Sequence, residues 1–135
     1  MTAGYAWPMA NVERRTQFEP AVGSAAAARR FMRGELEQLA VPEPPIETAI
    51  LLTSELISNA YLHARTEVDL RLVMAPECVR VEVHDGNSRH PVAAATPADA
   101  TSGRGLLLLQ ALAQSWGVDG TADGKTIWFE LPIAT

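Results

Sequence analysis

Apolar residues recur at three- and four-residue steps between residues 21 and about 40 (Ala25, Ala28, Phe31, Met32, Leu36, Leu39), which predicts an amphipathic helix. Pro42, Pro44 and Pro45 stop it. The same period returns from about Pro45 to about His63 through Ile46, Ile50, Leu51, Leu56, Ile57 and Ala60, with proline tolerated in the first turn. The period then changes to two. Val68, Leu70, Leu72 and Met74 alternate with polar neighbours, as do Val79, Val81 and Val83 after the short break at 75–77, so the two runs predict an antiparallel hairpin with one wet face.

Residues 86–102 carry Gly, Pro, Ala, Ser, Thr and Asp without an apolar period, a length that in a compact domain points to a functional loop. Gly103-Arg104-Gly105 then opens an apolar helix from Leu106 to about Gln114. A strand at 115–118, a turn-rich stretch at 119–124 and a last strand at 126–131, ended by Pro132, complete the chain. Residues 1–16 show no period and read as a loose leader, with Gln17-Phe18-Glu19 as a short edge strand. The order predicts one α+β domain over 17–135, a two-layer sandwich in which three helices cover one face of a mixed, mostly antiparallel sheet.

Composition narrows the function. With 135 residues the chain can bury a single core and has no room for a second catalytic domain. Its net charge of −5, without a basic block, argues against nucleic acid as a partner. Lys125 is the only lysine beside ten arginines, which reads as a codon habit of a GC-rich genome. No long apolar run predicts a membrane anchor, and the lone Cys78 reads as a small buried hydrophobe in a reducing, cytoplasmic setting. His63, His84 and His90 lack metal-ligand spacing, so a zinc site is not expected. Trp116, Trp128 and Phe129 read as core.

Three features carry candidate chemistry. Glu55, Asn59 and His63 stand four residues apart and form one polar stripe among Leu51, Leu52, Leu56, Ile57 and Leu62. Such a stripe is more often a solvated helix face, but its apolar surroundings favour a cavity lining. An amide oxygen beside a carboxylate suits phosphoryl transfer, the amide helping to hold Mg²⁺ and the carboxylate accepting a proton. Asp85, at the end of a strand before Gly86, is a turn residue or, facing a pocket, an acceptor for the adenine amine that repels the guanine carbonyl. Gly103-Arg104-Gly105-Leu106, at a helix start, offers backbone N–H groups to phosphate. Neither a dinucleotide fingerprint nor a Walker loop fits, since Leu108 and Asp119 stand where those patterns need glycine.

Taken in order, residues 55–64 (ELISNAYLHA), 83–86 (VHDG), 103–106 (GRGL) and 124–132 (GKTIWFELP) resemble the boxes of the histidine-kinase-like (GHKL, Bergerat-fold) ATPases. Among these the chain is similar to the small anti-sigma-factor serine/threonine kinases and their actinobacterial ATP-binding relatives. The resemblance implies ATP and Mg²⁺ as ligands. By position, Glu55 would be the catalytic carboxylate, Asn59 the Mg²⁺-binding amide, and His63 a neighbour of the phosphates. Asp85 would bind the adenine amine with help from Thr126, residues 86–102 would be the ATP lid, and Gly103, Arg104, Gly105 and Leu106 would hold phosphate. Asn87 stands where many members have the glycine of Asp-x-Gly, with Gly86 before it.

The function implied is an anti-sigma factor that phosphorylates an antagonist protein. Its expected partners are a sigma factor and a STAS-like antagonist, with a homodimer as a further assembly. Two other readings stay open: a nucleotide-gated binding module with little catalysis, and a degenerate scaffold that binds no nucleotide.

Overall fold

The protein is described by a computed structural model covering residues 12–87 and 100–133. Strand β1 spans Val12–Phe18, followed by helices α1 (Ser24–Gln38) and α2 (Glu43–Asn59), the latter running into a π-helical turn at Ala60–Ala64. Strands β2 (Val68–Ala75) and β3 (Cys78–Asp85), helix α3 (Ala100–Leu112) and strands β4 (Ser115–Thr121) and β5 (Gly124–Pro132) follow. The five strands form one sheet in the order β1-β2-β3-β5-β4, and every described ladder is antiparallel.

Strand alternation decides which side chains enter the core. Leu72, Val81 and Phe129 stand side by side across β2, β3 and β5, and so do Leu70, Val83 and Ile127. All six are buried, in one cluster with Met32 and Leu36 of α1, Leu52 and Leu56 of α2, and Leu109 of α3. The three helices therefore share one face of the sheet, the expected two-layer α+β arrangement. Burying a side chain of this size contributes roughly 1.5–3 kcal/mol, and no metal or disulfide is needed to explain the core.

The opposite face is polar. Arg71 and Arg80 bracket Glu82 there at 3.1 and 2.8 Å, Arg80 reaches Glu130 at 2.8 Å, and the Arg80 guanidinium lies 4.2 Å from the Trp128 ring centre. Trp128 thus belongs to this face, whereas Phe129 is core and Trp116 packs at the edge of the core. The expectation that both tryptophans and Phe129 fill one core fails for Trp128 because adjacent strand residues point to opposite faces.

Two boundaries differ from the sequence expectation. Residues 12–16, read as leader, form most of β1, paired with β2 from Val12↔Met74 to Phe18↔Val68; residues 1–11 lie outside the described residues. Its period was hidden because Arg14 and Thr16 take helix-side positions at the sheet edge, Arg14 donating to Glu35 of α1 at 2.8 Å. The helix expected to open at Gly103 begins at Ala100, and residues 88–99 of the expected lid lie outside the described residues.

Helix α1 ends with Ala40 in a left-handed conformation (φ 61°), where the Val41 N–H reaches the Leu36 carbonyl at 3.1 Å. Ala40→Gly removes the Cβ penalty, and urea unfolding should show a gain of about 0.5–1 kcal/mol. On the polar face, hydrogen bonds from Arg71 and then Arg15 hold the Glu13 carboxyl down from 4.5 to about 2. Its folded-state value lies below its unfolded one, so the linked stability is complete above pH 4.5 and is lost as pH falls through about 2. Because the Glu13 side chain is 41% exposed and screened, that contribution should be at most about 1 kcal/mol. Acid titrations of unfolding should be flatter for Glu13→Gln than for wild type over this window.

Candidate functional site

Helix α2 has two roles set by its period. Ile46, Ala49, Leu52, Thr53, Leu56 and Ile57 are buried, while Glu55 and Asn59, one turn apart, stay half-buried beside them. Sequence spacing expected the helix to continue unbroken to His63, but it widens after Asn59. The Arg65 N–H bonds to the Ala60 carbonyl at 2.9 Å, five residues back, and Arg65 closes the turn with φ 57°. His63 lies in this π-turn with an exposed side chain, and its carbonyl accepts from Asn87 Nδ2 at 3.3 Å.

Gly105 of α3 faces Asn59. A Cβ at this glycine would come within 2.7 Å of Asn59 Nδ2, so Gly105 lets the Asn59 amide lie directly against α3 and a larger residue would push that amide aside. The first and third boxes are thereby brought together. Leu106 is buried in the core cluster, so its side chain packs instead of lining a ligand site. Gly103 and Arg104 fall within α3, and the Arg104 side chain lies outside the described residues. With the helix starting at Ala100, Gly103 falls in the first turn of α3 and Gly105 in the second, so of the two glycines only Gly103 stays among the first four residues, whose N–H groups a helix leaves without an internal partner.

At the other end of the site, β3 delivers Asp85 to the helix side of the sheet, on the same face as Val79, Val81 and Val83. Its carboxylate is buried, with only 5% of the side chain exposed. Directly across the ladder stands Lys125, 8% exposed, with Nζ 3.0 Å from Asp85 Oδ1. The same ammonium donates to the Asn87 carbonyl at 3.0 Å, and the Asn87 N–H donates to Oδ1 at 2.8 Å. Gly86 follows, its N–H bonded to Thr66 Oγ1 at 2.9 Å. Gly124, with φ 154°, holds the neighbouring strand so close that any Cβ would run into the Asp85 carbonyl.

Thr126, expected beside Asp85, projects from the opposite face. Its Oγ1 pairs with His84 Nδ1 at 3.0 Å, and it lines a shallow cavity of about 230 Å³ with Arg15, Asp69, Arg71, Glu82 and His84. The sheet separates it from Asp85 because residues 125 and 126 alternate. Lys125, not Thr126, is the partner of Asp85. Sequence reasoning missed it, although the alternation of Ile127, Phe129 and Leu131 already put position 125 on the apolar side.

Burial pushes the Cys78 thiol up to about 11, and its Sγ contacts Gln114 Oε1 at 3.8 Å, so the sulfur is unsuited to nucleophilic work at neutral pH. Among the described residues no group of three or more His, Cys, Asp or Glu gathers to hold a metal, and no helix is long and apolar enough to cross a membrane.

A buried ion pair broken on one side leaves an uncompensated charge, whereas removing both charges is far less costly. Lys125→Met should lower unfolding stability by about 3–5 kcal/mol, with Lys125→Met/Asp85→Asn recovering most of that loss. Urea denaturation of the two variants and of Asp85→Asn measures the coupling.

Comparison with known proteins bears on the same elements. No curated protein sequence matches the chain. Among solved structures the fold matches a crystal structure of the RsbU and RsbW domains of Rv1364c from Mycobacterium tuberculosis, with a TM-score of 0.71 and 17% identity. That match covers 90% of this chain and 32% of the other, and at this identity it shows the shared fold. Residues 18–131 match the histidine kinase-like ATPase domain, a stretch that contains Glu55 and Asn59 on α2, the buried Asp85, and Gly105. The chain belongs to the histidine kinase-like ATPase domain family.

Proposed function

We propose that the chain binds ATP with Mg²⁺ and transfers a phosphoryl group to a serine or threonine of an antagonist protein, with a sigma factor as its alternative partner. The observation that carries this reading is the convergence of Asn59 with Gly105, one turn from Glu55. Gly105 lets the Asn59 amide lie against α3, and the buried Asp85 carboxylate keeps Oδ2 without a donor among the described residues, so the residues present fit a nucleotide.

In this reading the Asn59 side-chain oxygen takes one position on the cation, which prefers hard oxygen ligands. Glu55 orients the acceptor hydroxyl and takes its proton. Asp85 Oδ2 accepts from the base amine. Bound ATP would supply the γ-phosphoryl group, its bond to the β–γ bridging oxygen breaking as the acceptor oxygen bonds to phosphorus and ADP leaving, with Mg²⁺ supplying charge neutralisation when bound. The fold shared with the RsbW-containing chain supports a regulatory role of this kind.

A second reading, a nucleotide-gated binding module, is favoured by Asn87. This first residue after Gly86 bonds to Asp85, the His63 carbonyl and Lys125, so contact at the base site reaches the start of the segment expected to act as lid.

Labelled ATP incubated with the protein and its cognate antagonist should give phosphoprotein. Glu55→Ala should reduce transfer by about 10²–10⁴-fold while retaining nucleotide binding. Asn59→Ala should lose Mg²⁺-dependent binding with an unchanged circular dichroism spectrum. Binding without transfer to any antagonist would remove the kinase reading and leave the gated module, whose partner capture should persist in Glu55→Ala.

A further inference from the structure

The Asp85–Lys125 pair holds one unused hydrogen-bonding position on each side. Oδ1 already accepts two bonds, from Lys125 Nζ at 3.0 Å and from the Asn87 N–H at 2.8 Å, while Oδ2 accepts none among the described residues. Nζ has three protons and donates two, to Oδ1 and to the Asn87 carbonyl, leaving one without an acceptor among the described residues. Both side chains are more than nine-tenths buried. Oδ2 is not among the fully enclosed unpartnered atoms of the described residues, so its free position stays reachable from outside, and this corner is matched to a ligand edge that offers a donor next to an acceptor.

Both purines offer such an edge. Adenine presents its exocyclic N–H beside N1, and guanine presents its N1–H beside O6. In the pose that sets the purine 6-substituent against a bare carboxylate, adenine donates its amine, whereas guanine turns its carbonyl toward negative charge. An ammonium 3.0 Å away reverses that conflict by donating to O6. We infer that Lys125 is a specificity-determining residue that makes the base site purine-permissive, admitting guanine as well as adenine nucleotides. The inference rests on the proposed nucleotide site, and it modifies the adenine preference that Asp85 alone implies.

Calorimetric titration of the full chain with non-hydrolysable ATP and GTP analogues in Mg²⁺ tests it. Wild type should bind the two with dissociation constants less than about tenfold apart, whereas Lys125→Met, which restores the bare carboxylate, should widen the ratio by about tenfold or more against GTP. Lys125→Arg keeps the charge and the donor and should hold the wild-type ratio. A wild-type ratio of about tenfold or more, or an unchanged ratio in a folded Lys125→Met, overturns the inference while leaving the ATP site standing. Binding of neither nucleotide by wild type overturns the site and the inference together. Should Lys125→Met fail to fold, the wild-type and Lys125→Arg ratios decide.

Discussion

Helix α2 has to serve two environments at once, and the rest of the molecule is arranged around that constraint. Leu52, Leu56 and Ile57 sink into the sheet, while Glu55 and Asn59 stand only half-buried between them. A helix period near 3.6 allows both, since residues one apart are rotated by about 100° and residues four apart nearly coincide. The core therefore positions the site directly. A shift of α2 by one residue would bury the carboxylate and expose a leucine, so packing energy enforces the placement of the functional groups.

The far end of the site is held by charge instead of apolar packing. Asp85 and Lys125 sit where their strands otherwise carry valine, isoleucine, phenylalanine and leucine. Two buried charges at a position that could have been apolar contribute little net stability once desolvation is counted. The pair also orders the backbone, since Lys125 and Asp85 together tie down Asn87 where the chain leaves the sheet. Gly124 is the steric condition for this arrangement, because only a residue without Cβ lets β5 approach the Asp85 carbonyl.

Much of this was legible in the chain. The helix and strand order, the hairpin of β2 and β3, and the Glu55/Asn59 spacing follow from local periodicity, which each segment carries by itself. Edges were harder. Strand β1 hid behind arginines because an edge strand can pair its backbone while its inward side chains reach polar partners, as Arg14 does with Glu35. Helix α3 extends upstream of two glycines that local propensity reads as its start. Gly105 is held within the helix at the point where it packs on Asn59.

The sequence by itself determined the elements, their order, the α+β class and the identity of the polar residues on α2, because these depend on side-chain period over a few neighbouring positions. Tertiary structure decided which distant residues meet. Asp85 and Lys125 are 40 positions apart and become partners only through the β3–β5 register, and the same register sends Thr126 to the other face. Gly105 reaches Asn59 only once two helices lie on one sheet. Periodicity is local information, whereas contact between segments depends on the register and close packing that the whole core imposes.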